Sequence, residues 1–327
     1  MAGLDALRGV AILLVVIGHY LPDRVIGGSA AGILHPFGAG GVVLFFLLSG
    51  ILIERNLAHQ PDALAYGLRR FFRIMPAYWV AVGVLLMVHP WVGGPADMTS
   101  PKTILANATL LQDVLRAPLL SGVFWTLLLE SKFYVLAPFI MRGGRRWIIA
   151  APLIAIAANA LVVIWRGEAS FLLTYLVFCL AGMNLGLWSR GELTSLRAGA
   201  IVILSALSAG LFSPYYKLGL VVFGILGSAA LAHAVRRPTV TPWLAFIGAI
   251  SYSWYLCHAG IGYPLMSALE AGRFGLSPLV TTIIAVAATF SIACVSYWFV
   301  EQPGIAVGRS LEKTWLARAL TTGRGAR

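Results

Sequence analysis

Long apolar stretches, each broken at a few points by a charged or imidazole side chain, run through most of this chain. Ten of them are long enough to cross a hydrocarbon core of about 30 Å as helices. They cover roughly 6–21, 36–53, 74–92, 123–141, 147–165, 169–188, 198–213, 217–235, 243–265 and 278–300. In lipid every backbone polar group must be satisfied internally, which leaves helices or closed barrels. Barrel strands would alternate in segments of about ten residues, and these runs are longer and continuously apolar. The pattern predicts an all-α polytopic bundle of about ten transmembrane helices. It forms one integral-membrane domain over 1–327, with no separate soluble domain. The start of the chain lacks a basic n-region and a small-residue cleavage site, so the first helix is expected to stay in the mature protein.

Two connections exceed the rest. Residues 54–73 ("ERNLAHQPDALAYGLRRFFR") are basic, and residues 93–122 carry Gly93, Gly94, Pro95, Pro101 and Pro118 with little charge. Short loops elsewhere imply antiparallel neighbours. The basic tail "GRSLEKTWLARALTTGRGAR" is expected at the membrane surface.

Composition supports the membrane reading: 59% of the 327 residues are hydrophobic and 11% charged. A net charge of +12 would suit nucleic acid in a soluble protein. Here it is assigned to cytoplasmic loops facing anionic lipid, with no nucleic-acid partner. With the N-terminus inside, the inner face collects Arg8, the arginines at 55, 69, 70 and 73, those at 142, 145 and 146, those at 190 and 197, those at 236 and 237, and the basic tail. The outer face holds only Arg24, Lys102, Arg116, Arg166, Lys217 and Arg273. Lys132 falls inside the fourth span. By the positive-inside rule both termini are expected in the cytoplasm. Cys179, Cys257 and Cys294 all sit in apolar runs, where free thiols behave as small hydrophobes. No metal-ligand spacing is present, and no metal is expected.

The first helix, "LDALRGVAILLVVIGHY", carries Asp5, Arg8 and His19. Arg8 and His19 are eleven residues apart, about 20° past three full turns, and so share a face at an axial separation of about 16 Å. Arg8 either snorkels to the interface or serves a ligand. For His19, an ionisable group inside the membrane is costly and reads as functional by default. Glu130, in "WTLLLESKFYVLAPF", lies about 18 Å from the inner end of its own span, at a depth similar to His19. The two are either a structural ion pair or an imidazole oriented by a carboxylate, as in a catalytic triad. In "RRFFRIMPAYW", Arg70 and Arg73 are one turn apart on α-helical spacing. They either mark topology or, with Arg8, offer guanidinium forks to phosphate.

That layout fits a coenzyme A thioester. Its phosphates would rest on Arg8, Arg70 and Arg73, and its arm would run up the bundle. His19 would deprotonate an acceptor hydroxyl arriving from outside. The same charges also suit a transporter or flippase for a lipid-linked glycan, though neither repeated halves nor paired broken helices accompany them. Around this centre, His35 at the start of the second span is an acceptor contact or an interfacial histidine. Tyr134 lies one turn below Glu130, within hydrogen-bonding reach. Tyr255, Trp254 and Trp125 either stack on sugar rings or belong to the aromatic belt. His258 either lines the acceptor side or caps its helix near the outer surface. Glu301 is expected to pair with a nearby arginine. His59, His89 and His233 read as loop or interface residues.

Six motifs in order over nearly the whole chain resemble the acyltransferase-3 family of bacterial integral-membrane acyltransferases. "LDALRGVAILLVVIGH" resembles its opening helix, "GAGGVVLFFLLSGILI" its second, and "RRFFRIMPAYW" its RxxR stretch. "WTLLLESKFYVLAPFI" is similar to its WSLxxExxFYxLxP pattern, and "ISYSWYLCHAGI" and "SYWFVEQP" resemble its closing helices. The resemblance implies transfer of an acyl group, most often acetyl, from cytoplasmic acyl-CoA to hydroxyls of envelope glycans or lipid-linked sugars. It also implies a multi-pass protein of the bacterial inner membrane. The family's essential arginine and histidine fall on Arg8 and His19, its RxxR pair on Arg70 and Arg73, and its glutamate on Glu130. The chain departs at Val43, where an acidic or amide residue is frequent, and at Cys257-His258-Ala259-Gly260, whose proline is displaced to Pro264. It carries no hydrolase-like extracellular domain after the last span, so a reaction needing one would draw on partner proteins of envelope glycan assembly.

Overall fold

The computed structural model describes residues 2–21, 25–60, 62–92, 96–237, 241–270 and 274–321. Arg24, Arg273, the residues 93–95 and the tail beyond residue 321, all used in the sequence reading, lie outside the described residues. In chain order the helices are α1 Ala2–Tyr20, α2 Gly28–His59, α3 Ala63–Val92, α4 Pro101–Thr109, α5 Gln112–Leu115, α6 Phe124–Arg142 and α7 Gly144–Arg166. They continue with α8 Phe171–Ser189, α9 Ser195–Phe212, α10 Lys217–Arg236, α11 Pro242–Ala249, α12 Ser251–Glu270, α13 Pro278–Ser296 and α14 Gln302–Thr321. No strand occurs among the described residues. Nine helices there are long and apolar enough to cross a membrane, and α11 with α12, bent by 63°, makes a tenth candidate. The protein is a polytopic helical membrane bundle.

Four boundaries differ from the sequence pattern. First, α2 begins at Gly28, not near 36, so His35 and Pro36 lie inside it. Second, the basic stretch 54–73 is no loop. α2 runs on to His59, and α3 starts at Ala63, where Asp62 Oδ1 accepts the Ala65 N–H at 2.7 Å. Charged residues leaving the bilayer do not end a helix; a cap does. Third, the segment after α3 holds α4 and α5, with Pro101 at the start of α4 behind the Ser100 N-cap. Fourth, the tail continues the last span as α14. Pro303 has no N–H to give Phe299, and a π turn, Tyr297–Glu301, absorbs the misfit before the helix resumes.

The chain forms two compact units. The first comprises Met1–Ala58, Val135–Tyr252 and Ser277–Thr282. α8 is its most buried span, as an all-round apolar helix should be. Asn184 Nδ2 donates to Ile148 O at 2.8 Å and Asn159 Nδ2 to Thr174 Oγ1 at 3.0 Å. These bonds tie α7 to α8. Close approach of small residues holds α1. A Cβ on Gly9 would overlap Leu244 O, one on Gly248 would overlap Asp5 O, and one on Gly18 would overlap Gly38 N. Helices in lipid associate through such backbone contacts, because apolar burial supplies no drive there. The glycine after Arg8 and the glycine before His19 thus fix α1 against α11 and α2.

The second unit comprises His59–Tyr134, Ser253–Leu276 and Ile283–Arg327. In it α14 lies on α3, with Gly304 and Gly308 facing Phe72. Arg69 pairs with Glu312, and Trp315 Nε1 donates to Asp62 Oδ2 at 3.3 Å. The α4–α5 segment packs on α3. Asn107 Nδ2 donates to Thr103 O and Pro118 O at 2.9 Å each, and Gln112 Nε2 donates to Tyr78 Oη at 3.2 Å.

Candidate active site

In the first unit, Arg8 Nη1 and Asp5 Oδ1 form an ion pair at 2.8 Å, with the Arg8 side chain 19% exposed. One turn of helix brings the two together, as the spacing requires. His19 is half-buried in the last turn of α1. A Cβ added at Gly38 would stand 3.6 Å from His19 Nε2. The imidazole therefore lies against Gly38 of α2. His35 is half-buried inside α2, immediately before Pro36. The sequence reading had placed it at the mouth of that span.

In the second unit a chain of contacts runs from α3 to α6. Tyr134 Oη donates to Glu130 Oε1. The Arg70 guanidinium sits over the Tyr134 ring, 5.2 Å from its centroid, and over the Tyr66 ring at 5.6 Å. Tyr66 and Arg70 are one turn apart on α3, so the guanidinium lies near one ring of its own helix and one of α6. Its Nε is buried with no hydrogen-bond partner, as are Arg69 Nε and Nη2. Arg73 is half-buried one turn further along α3. Lys132 pairs with Asp113 of α5, which answers the charge that sequence reasoning left inside the fourth span. Two residues along a helix point roughly 200° apart, so that pair lies away from the Glu130 face.

The start of α6 is fixed by α12. Thr126 Oγ1 and Tyr255 Oη lie 2.8 Å apart, and both reach Val123 O, at 3.0 and 3.2 Å. Tyr255 is 6% exposed, so its ring packs inside the protein. His258 is buried in the middle of α12, which removes the alternative that it caps a helix end. Its Nδ1 is 2.7 Å from Tyr255 O. A carbonyl only accepts, so Nδ1 carries a proton. Glu301, expected to pair with an arginine, meets a serine. Its Oε2 accepts from Ser253 Oγ at 2.8 Å.

Sequence reasoning passed over Glu54. It is fully buried on α2, and Arg190 Nη2 meets its Oε1 at 2.5 Å. A Cβ on Gly186 would overlap its other oxygen. A lone glutamate at the apolar end of a span was the available signal. Its partner lies 136 positions away and has no local signature. Among the described residues no group of His, Cys, Asp and Glu could hold a metal ion.

The comparisons agree with this architecture. The family model described as an acyltransferase domain matches residues 1–298. Nodulation protein 10 of Rhizobium leguminosarum is 25% identical over 94% of this chain and 94% of its own length. The exopolysaccharide production protein ExoZ of Rhizobium meliloti is 28% identical over 85% of this chain and 92% of its own. The peptidoglycan O-acetyltransferase OatA of Listeria monocytogenes is 26% identical over 92% of this chain and 55% of its own. No solved structure matches. The six motifs, the helical membrane bundle and the match over residues 1–298 lead to one conclusion: the chain belongs to the acyltransferase-3 family and is a multi-pass membrane acyltransferase.

Proposed function

We propose that the protein moves an acyl group, acetyl first among them, from cytoplasmic acyl-CoA to a hydroxyl of an envelope glycan or lipid-linked sugar. The carrying observation is the family match, which contains Arg8, His19, Arg70, Arg73 and Glu130 in order. The names of two relatives, one for exopolysaccharide production and one for peptidoglycan O-acetylation, favour a glycan acceptor. The protein sits in the bacterial inner membrane as one domain with both termini in the cytoplasm. Where the full reaction needs an extracellular domain, a partner protein of envelope glycan assembly supplies it.

Arg8, Arg70 and Arg73 hold the donor's phosphates, for which guanidinium forks are suited. His19 is the general base, and Glu130 orients its ring and stabilises the imidazolium that forms. The acceptor hydroxyl gives its proton to His19, and its oxygen attacks the thioester carbonyl. The carbon–sulfur bond then breaks. The thiolate takes the proton back from His19 and leaves as coenzyme A, and the glycan carries the new ester. His35, Tyr134, Tyr255 and His258 shape the acceptor side, Tyr255 by packing α12 on the start of α6.

The test uses inverted membrane vesicles, with labelled acetyl-CoA added to the exposed cytoplasmic face. Wild type and His19→Ala are compared at matched protein levels. Label is expected in the glycan or lipid-linked fraction of wild type and absent from the mutant. Equal incorporation by both would remove His19 from the mechanism.

A further inference from the structure

Arg70 stands in a place that phosphate binding does not explain. A guanidinium that only meets a ligand needs no aromatic neighbours. Here the Arg70 guanidinium carbon lies over two rings, 5.6 Å from the centroid of Tyr66 and 5.2 Å from that of Tyr134. Tyr134 in turn donates to Glu130. The stack spans two helices, since residues 66 and 70 are on α3 and residues 130 and 134 on α6. A planar cation attracts aromatic faces through their quadrupole, and only arginine among the basic side chains presents such a plane. A tyrosine ring held by its face cannot swing about χ1 without losing that contact. Its hydroxyl then keeps one direction, and so does the carboxylate bonded to it.

We infer that Arg70 is a positioning residue for Glu130, acting through the Tyr134 ring that it lies over, besides its role toward the donor. The inference rests on the reading that Glu130 serves the transfer. It makes Tyr66 part of the machinery, although no motif drew attention to it. Tyr66 meets the Arg70 guanidinium with its ring.

The experiment separates the two roles of Arg70 by removing the phosphates from the donor. Wild type, Arg70→Lys, Tyr134→Phe and the double variant are assayed in vesicles with acetyl-CoA and with acetyl-pantetheine, which has no phosphate. Lysine keeps the charge and loses the plane. Arg70→Lys is expected to lower kcat about ten- to hundredfold with both donors, the size of loss a displaced catalytic group produces. The double variant is expected to be no slower than the slower single one, as for residues acting in series. Tyr66→Leu is expected to reproduce the loss, and Tyr66→Phe to recover most of it. A defect of Arg70→Lys confined to acetyl-CoA would overturn the inference, as would losses that multiply in the double variant. An infrared measurement reads the same point without turnover. The Glu130 carboxylate band, assigned by its loss in Glu130→Gln, is expected to shift in Arg70→Lys, and an unmoved band would overturn the inference. Failure of the functional reading shows separately, as wild-type turnover that Glu130→Gln leaves intact.

Discussion

Tyr134 donates its phenolic proton to Glu130 one turn earlier on α6. The bond is local, but its surroundings are not, because the ring that makes it is held by Arg70 of α3. A charge-assisted hydrogen bond of this kind contributes about 1.5–3 kcal/mol. Tyr134→Phe removes the donor and keeps the ring. Its kcat for acetyl transfer is expected to fall about ten- to hundredfold while the protein still accumulates, checked by label incorporation at matched membrane levels. Unchanged kcat would free Glu130 from this partner.

Gly18 meets Gly38 where α1 carries His19. A Cβ at 18 would overlap backbone atoms of α2, which cannot yield as a flexible side chain does. Gly18→Ala is expected to destabilise the protein by about 1–3 kcal/mol and to lower activity by shifting His19. Gly199 has open space around it in α9. Gly199→Ala is expected to stabilise by roughly 0.5–1 kcal/mol, the helical gain over glycine. Thermal unfolding in detergent compares the two.

Arg190 answers a carboxylate that has no exposure, whereas Arg166 pairs with Glu168 at 55% and 74% exposure. Removing one partner of a buried pair leaves an uncompensated charge and costs about 3–5 kcal/mol. Exposed pairs are worth about 0–1 kcal/mol. Arg190→Ala is therefore expected to lower thermal stability sharply and Arg166→Ala hardly at all. Equal shifts in the two melts would contradict the burial argument.

Tyr255 and Thr126 hold α12 on the first turn of α6 through mutual contacts with Val123 O. Thr126→Val keeps the shape and removes the hydroxyl, leaving Tyr255 to bond Val123 O alone. A cost of about 1 kcal/mol is expected, read from the melting temperature. A larger fall in kcat than stability explains would mark α12 as setting the Glu130 helix for reaction.

Much of this protein follows from sequence because two physical rules act locally. Apolar runs must match the bilayer thickness, which yields the helical class and the ten candidate spans, including the bent α11–α12 pair. Helical periodicity places neighbours one turn apart, which yields the Asp5–Arg8 pair and the Glu130–Tyr134 bond. The motifs that carry the family are likewise strings of adjacent residues. Tertiary structure decided what neither rule reaches. Helices α2, α3 and α14 extend past the apolar limit, because packing and caps end a helix where hydrophobicity does not. Lys132 found Asp113, Arg69 found Glu312, and Glu54 found Arg190. Arg70, an arginine in a motif, lies over the rings of Tyr66 and Tyr134. Apart from Tyr66, each of these partners comes from another element of the chain. A buried charge or a stacked plane chooses its partner by proximity in space, and the order of residues alone does not record it.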